Sequence, residues 1–120
     1  MDREQIEEDF EFLKEVDEVL AVLVFGSQVK GESHERSDTD ICIVVPDAEP
    51  WDILSEVYPE VDVEKKGYDV KVFEELTLRL KNSVIQNHEI VWTRDYSRLQ
   101  EYLFRFRKLW NDQSKNWINA

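Results

Sequence analysis

The stretch that decides the fold runs from Val19 to Val45 and reads VLAVLVFGSQVKGESHERSDTDICIVV. Two apolar runs, residues 19–25 and 39–45, lie on either side of a polar loop. Each run predicts a β-strand, and the first is apolar at every position, which is typical of a central strand buried on both faces. The loop begins with a Gly-Ser pair, and two aspartates one residue apart lie at its other end. Polar and flexible residues therefore lie at both junctions between the loop and the strands.

The two aspartates, Asp38 and Asp40, lead into the second strand. Side chains alternate along a strand, so both carboxylates would point to the same face. Carboxylates held a few ångströms apart repel one another unless a cation lies between them. Mg²⁺ is usually held by one or two carboxylates together with substrate phosphates. The spacing therefore favours a site for a hard divalent cation.

The Gly-Ser turn supplies the second half of such a site. Gly26 can adopt a positive φ and lets a phosphate approach the backbone. Ser27 offers a hydroxyl group or a helix N-cap, and Lys30 and Arg36 on the same loop would neutralise a triphosphate. The alternative is a plain β-turn-β connection in which the aspartates are turn formers. Asp-x-Asp alone is a weak signal, but its combination with Gly-Ser between two strands is far more specific.

In this segment Gly26-Ser27 is followed by ten residues and then by Asp38-Thr39-Asp40. It resembles the signature of the DNA polymerase beta superfamily of nucleotidyltransferases, over roughly residues 19–95. The short chain resembles in particular the minimal nucleotidyltransferases of prokaryotes, often encoded beside a helical HEPN partner. The chain departs from the usual pattern at Val29, where a smaller residue is common, and by lacking a proline in 32–36. The resemblance implies an α/β fold with a mixed sheet of four or five strands, helices packed on it and a long C-terminal helix.

The family has a third carboxylate on a later strand, and two residues compete for that position. Asp69 opens the better strand pattern, in which Val70 and Val72 face the core while Asp69 and Lys71 face the other way. Asp62 lies near the end of the preceding helix, where it would cap or be exposed. We prefer Asp69 and keep Asp62 as the alternative.

The resemblance implies metal-dependent transfer of a nucleotide, with ATP as the AMP donor. Asp38, Asp40 and Asp69 would hold two Mg²⁺ ions, with Mn²⁺ as an alternative, and act as the catalytic residues. The phosphates would lie against Gly26, Ser27 and Lys30 or Arg36. The implied acceptor is a hydroxyl group, such as that of a tyrosine, on a HEPN-type toxin, the chain being its antitoxin. Two alternatives stay open: a catalytically weak partner that binds nucleotide and metal, and a nucleotidyltransferase that modifies small molecules such as antibiotics.

Length and composition predict a single domain over residues 1–120. The net charge of −12 argues against strong binding to nucleic acid. The sequence has no apolar run long enough for a membrane span and no secretory signal, so a cytoplasmic location is expected. The lone Cys42 is interpreted as a core residue. His34 is interpreted as a solvated loop residue with a minor prospect of reaching a nucleotide, and His88 as structural.

The remaining pattern predicts helices over residues 2–18, 49–59, 75–86 and 96–118, extended fragments over 61–73 and a strand over 89–93. The extended fragments around Lys65-Lys66-Gly67 would form a hairpin or one bent strand. Residues 94–120 carry six basic and three acidic residues, a charge of +3 against −15 for the rest. Aromatic side chains cover more than one face of the C-terminal helix. We therefore expect that helix to bind a HEPN-type partner or a second copy of the chain.

Overall fold

The structure is a computed structural model that describes residues 2–26 and 38–118. These residues form four strands and five helices, with a 3₁₀ turn over Glu11–Glu15 and another over Phe73–Glu75. The strands are β1 (Ala21–Phe25), β2 (Thr39–Val44), β3 (Tyr68–Val72) and β4 (His88–Thr93). The helices are α1 (Arg3–Asp9), α2 (Pro50–Glu60), α3 (Val63–Lys66), α4 (Leu78–Gln86) and α5 (Tyr96–Ile118).

The four strands form one mixed sheet in the order β3-β2-β1-β4. β1 pairs antiparallel with both β2 and β4, and β2 pairs parallel with β3. A parallel pair needs a crossover connection, which α2 and α3 supply. The predicted fold class, a mixed sheet with helices packed on it and a long C-terminal helix, is confirmed. The apolar first strand lies between two neighbours, as its composition predicted.

Both faces of the sheet are covered, and alternation along the strands sends successive side chains to different cores. On one face, side chains of β1 and β2 pack against α1, the first 3₁₀ turn and α2; these include Val24, Ile41, Ile6, Leu13 and Val57. On the other face, α4 and α5 cover the sheet with Val84, Leu99 and Leu103, which pack on Leu23, Cys42 and Val44. Cys42 is fully buried, and burial raises the pKa of its thiol. It is the core residue that the sequence predicted.

Two predicted elements were wrong in part. The helix expected over residues 2–18 ends at Asp9, and the chain tightens into the 3₁₀ turn after Phe10. The change of winding still lets Ile6, Phe10 and Leu13 reach one core. Within 61–73, expected to be extended, residues 63–66 instead form the one-turn helix α3.

Glu74 joins α5 to the far end of β2. Its Oε1 accepts the backbone N–H of Val45 at 2.9 Å, and its Oε2 accepts the Tyr102 hydroxyl at 2.9 Å. Burial raises the pKa of Glu74, although both hydrogen bonds act in the opposite direction. The rings of Phe73, Tyr102 and Phe106 pack against one another beside this contact. In 2–26 and 38–118, the structure contains no helix that is both long and apolar enough to cross a membrane.

Candidate active site

The strand register aligns one residue of each strand in a row across the sheet. Asp69 of β3 lies opposite Asp40 of β2, Asp40 opposite Phe25 of β1, and Phe25 opposite His88 of β4. All four face the α4–α5 side. The aspartates alternate with Ile41 and Val70 of the opposite core, Phe25 packs in the second core, and the His88 ring hydrogen-bonds to α4. We call these four residues the transverse row.

The two carboxyl groups of the transverse row are electrostatically coupled. Burial raises the pKa of Asp40, and the neighbouring charges of Asp69 and Asp38 raise it further, as does a hydrogen bond between the Asp40 and Asp69 carboxyl groups. The Lys71 ammonium group lies 3.3 Å from the nearer Asp69 carboxylate oxygen and opposes this rise. Among the described residues, the negative charge of Asp38, Asp40 and Asp69 therefore exceeds what Lys71 offsets.

Gly26 follows Phe25 directly, at the end of β1, and adopts a φ of +83°. This left-handed conformation favours glycine. A β-carbon at this position would also collide with Oδ2 of Asp40. Both observations require glycine here, and the second places Gly26 directly beside the second aspartate of the motif. The positive φ that the sequence predicted for Gly26 is confirmed.

The structure separates the two candidates for the third carboxylate. Asp69 lies beside Asp40 in the sheet, whereas the Asp62 side chain caps α3 by accepting the Lys65 N–H at 3.1 Å. Gly26, Asp38, Asp40 and Asp69 thus gather at one end of β1 and β2. The other predicted nucleotide-binding residues, Ser27, Lys30 and Arg36, lie outside the described residues, as does His34.

Sequence reasoning missed how Phe25 and His88 extend the row. Nδ1 of His88 lies 2.8 Å from the Val84 carbonyl oxygen and 3.1 Å from that of Ile85. A carbonyl oxygen only accepts, so Nδ1 carries the proton and Nε2 of the neutral ring is left as an acceptor. Nδ1 fixes the ring against α4, which agrees with the structural role predicted for His88. Nε2 is left to accept a hydrogen bond from another group.

The donor set has the chemistry of a magnesium site. Asp38, Asp40 and Asp69 offer only oxygen, and the coupling of Asp40 with Asp69 is the repulsion that a cation would relieve. Within the described part of the chain, no group of three or more His, Cys, Asp or Glu side chains is already arranged around a metal position. Mg²⁺ characteristically takes one or two carboxylates and completes its coordination with water and substrate phosphates. The Asp40–Asp69 pair fits that mode.

A sheet whose central strand ends in glycine beside paired aspartates is an arrangement suited to metal-assisted phosphoryl chemistry. The model of the family described as "Polymerase beta, Nucleotidyltransferase" matches residues 6–97. The chain is also 38% identical over 98 residues to a protein of Methanocaldococcus jannaschii, covering 81% of this chain and 74% of that one. That relative carries the name "Putative protein adenylyltransferase". The chain belongs to the polymerase beta nucleotidyltransferase family and is a nucleotidyltransferase.

Solved structures show the same fold. A chain in the crystal structure of a toxin-antitoxin complex with AMP-PNP superposes with a TM-score of 0.73 at 13% identity, over 97% of this chain and 92% of that one. Another match is in the complex of a tri-AMPylated Shewanella oneidensis HEPN toxin with an MNT antitoxin. Its TM-score is 0.65 at 11% identity, over 95% of this chain and 87% of that one.

Proposed function

We propose that this nucleotidyltransferase transfers AMP from ATP to a hydroxyl group on a HEPN-type partner protein, and so acts as the antitoxin of a pair. The observation that carries the proposal is the direct pairing of Asp40 with Asp69 beside Gly26. This pairing places two carboxylates beside Gly26, a position where a β-carbon would collide with Asp40. The adenylyltransferase name of the M. jannaschii relative and the AMPylated toxin in a structural neighbour support the choice of AMP and of a protein acceptor.

The carboxylates would organise both reactants. Asp38, Asp40 and Asp69 are proposed to hold two Mg²⁺ ions, with Mn²⁺ as an alternative. When bound, the metal offsets the charge of the triphosphate and lowers the pKa of the acceptor hydroxyl. Asp69 lies on β3, at the edge of the sheet. It is proposed to receive the proton of the acceptor hydroxyl. Gly26, Ser27, Lys30 and Arg36 are proposed to bind the β- and γ-phosphates.

In this reaction the acceptor oxygen forms a bond to the α-phosphorus of ATP. The bond between that phosphorus and the oxygen that bridges it to the β-phosphate breaks. Pyrophosphate leaves in line with the attacking oxygen, and the proton passes to Asp69. Asp40 lies between Asp69 and the Gly26 turn. It would therefore hold metal between the acceptor hydroxyl near Asp69 and the phosphates near Gly26.

The partner is proposed to dock on α5. Phe104 and Leu109 are 62% and 45% exposed on this helix, and its basic residues would attract an acidic partner surface. Large exposed apolar side chains on a helix that also carries charge are the residue types that anchor interfaces. Self-association through the same helix is the competing outcome.

The test incubates the protein with Mg²⁺, ATP labelled at the α-phosphate, and the HEPN protein encoded beside it. We expect label on the partner and none when its acceptor tyrosine is replaced by phenylalanine. Asp69→Asn should abolish labelling. Asp62→Asn is the matched control, because asparagine also caps helices well. Loss of labelling in Asp62→Asn with full activity in Asp69→Asn would overturn the assignment.

Docking is measured separately from transfer. The solution mass of the chain alone and mixed with its partner is compared with that of Leu109→Asp. We expect the variant to remain folded, to keep its nucleotide binding and to lose the complex. A complex of unchanged affinity would rule out this face of α5 as the interface.

A further inference from the structure

We propose that Asp9 of α1 and Tyr68 of β3 are positioning residues that hold Asp69 beside Asp40, an inference that rests on the function proposed above. Tyr68 is the first residue of β3 and directly precedes Asp69. Its hydroxyl donates a hydrogen bond to Oδ2 of Asp9. Tyr68 packs on the α1–α2 face of the sheet, whereas Asp69 points to the opposite face. The contact with Asp9 therefore lies behind the candidate metal site.

The start of β3 receives little support from the sheet itself. Among the described strands, β3 lies at the edge and pairs with β2 alone. Of its five residues only Val72, the last, is buried, and segments with few buried contacts open locally at low free-energy cost. The charge of Asp69 also acts unfavourably on that of Asp40, and this repulsion favours separation of the two strands. A contact outside the sheet is needed to hold Asp69 in place.

Asp9 provides that contact through three hydrogen-bond donors. Besides the Tyr68 hydroxyl, Nζ of Lys66 on α3 lies 3.0 Å from its Oδ1, and Nε2 of Gln5 lies 3.0 Å from the same oxygen. Burial raises the pKa of Asp9, but these hydrogen bonds outweigh burial and lower the pKa below its ordinary value. The carboxylate is therefore charged at neutral pH. Lys66 and Tyr68 lie on either side of Gly67, so Asp9 holds both sides of the turn into β3.

The same turn is joined to the strand that carries the other two aspartates. The Thr39 N–H donates to the Gly67 carbonyl oxygen at 2.8 Å, and Thr39 lies opposite Tyr68 in the register. Thr39 is also the residue between Asp38 and Asp40. Fixing this turn therefore fixes the spacing between the carboxylates of β2 and that of β3. Groups that orient metal ligands in this way strengthen metal binding without contacting the metal.

The test measures Mn²⁺ binding to the full chain by electron paramagnetic resonance, which detects the free ion. Tyr68→Phe removes the hydroxyl but keeps the ring that packs on Phe10. We expect it to bind Mn²⁺ about tenfold more weakly and to recover its rate of transfer when the Mg²⁺ concentration is raised. The matched control is Tyr102→Phe, which removes a tyrosine hydroxyl that donates to Glu74 on the other side of the fold. Its Mn²⁺ affinity should equal that of wild type.

Two substitutions of Asp9 give a second measurement. Asp9→Asn keeps an oxygen that can accept the Tyr68 hydroxyl, so its Mn²⁺ affinity should lie closer to wild type than that of Asp9→Ala. Urea unfolding of every variant ensures that binding is compared between folded proteins. A Tyr68→Phe protein that loses stability but binds Mn²⁺ as wild type does would show that the contact is only structural, and would overturn the inference.

The outcomes separate this inference from the proposed function. If the wild-type chain binds no Mn²⁺, or if Asp40→Asn binds it equally well, the proposed metal site fails and the positioning role fails with it. If Asp40→Asn and Asp69→Asn weaken Mn²⁺ binding but Tyr68→Phe and Asp9→Ala do not, the positioning role alone is overturned.

Discussion

Two neighbouring rows of residues cross the same three strands but differ in polarity, in burial and in the face of the sheet on which they lie. Val70, Ile41 and Val24 lie side by side and face the α1–α2 core. One residue away along each strand, Asp69, Asp40 and Phe25 lie side by side and face the α4–α5 side. Ile41 and Val24 are fully buried, whereas Asp40, Asp69 and Phe25 are only half-buried.

The difference shows how a small sheet keeps stability and chemistry apart. A period of two puts adjacent residues on different faces, so one strand can hold core on one side and carboxylates on the other. The apolar row is fixed by burial, and each change there costs stability. The polar row carries repulsion between Asp40 and Asp69, so changes there should affect function first. Three substitutions in or beside these rows test this separation, starting with the largest expected effect, and a fourth tests the buried Glu74.

Asp40→Asn should reduce nucleotidyl transfer by about a thousandfold or more, because it removes a charged ligand at the reacting phosphate. The fold should be as stable as wild type or more so, since the substitution also removes the repulsion with Asp69. Label transfer to the partner and urea unfolding measure the two effects. An Asp40→Asn protein that unfolds more readily than wild type would show that this carboxylate is needed for structure.

Ile41→Ala should give the reverse result. Deleting a fully buried isoleucine side chain costs about 2–5 kcal/mol of the free energy of unfolding. Transfer by the folded fraction should stay within about twofold of wild type at a temperature where the variant is folded. Val70→Ala, at a half-buried position of the same row, should cost less. A large loss of transfer in the folded Ile41→Ala protein would show that the apolar row also controls function, and would contradict the separation.

Gly26→Ala should affect both properties, because this residue adopts a positive φ and touches Asp40. The left-handed conformation costs an alanine about 1–2 kcal/mol, and the new methyl group would displace the Asp40 carboxyl. Gly67→Ala is the matched control. Its φ is +71°, but a β-carbon there meets nothing within 4 Å. We expect similar losses of stability and a loss of transfer only in Gly26→Ala; equal transfer in both variants would contradict the steric argument.

Glu74→Gln should change how stability depends on pH. The pKa of Glu74 is raised by burial in the folded state above its ordinary value of 4.5. The folded state therefore binds the proton more tightly, and the free energy of unfolding falls as the pH rises from about 4.5 through the raised pKa. Glutamine does not titrate, so the variant should lack this part of the slope. Urea unfolding of both proteins across that pH range measures the difference, and parallel curves would refute it.

The sequence predicted the parts of the site that depend on local spacing. Asp38, Asp40 and Gly26 follow from the motif. The family resemblance implies a third carboxylate, and alternation against Val70 and Val72 favours Asp69 over Asp62 for it. The α3 helix was missed because one turn is too short to give a helical period. Its signals were nevertheless present: Asp62 caps it and Gly67, with a φ of +71°, ends it.

Other features depend on information that spacing does not contain. The place of His88 in the transverse row depends on the register between β1 and β4, which shifts between Val22 and Leu23. An irregularity of this kind changes which residues lie opposite each other, and local sequence does not specify it. The contact between Glu74 and Tyr102 depends in turn on how α5 packs back over the sheet, so these residues could not be paired before the fold was known.

The pairing of β4 with β1 also determines when the sheet can be completed during synthesis of the chain. β1 is made early, yet its second partner begins only at residue 88. Until that strand leaves the ribosome, the central strand has an open edge, and open edges pair readily with other chains. Contacts between residues so distant along the chain also form slowly. A chain cut short before residue 88 is therefore expected to aggregate, although it already contains Gly26, Asp38, Asp40 and Asp69; the fold that holds these residues depends on residues 88–120.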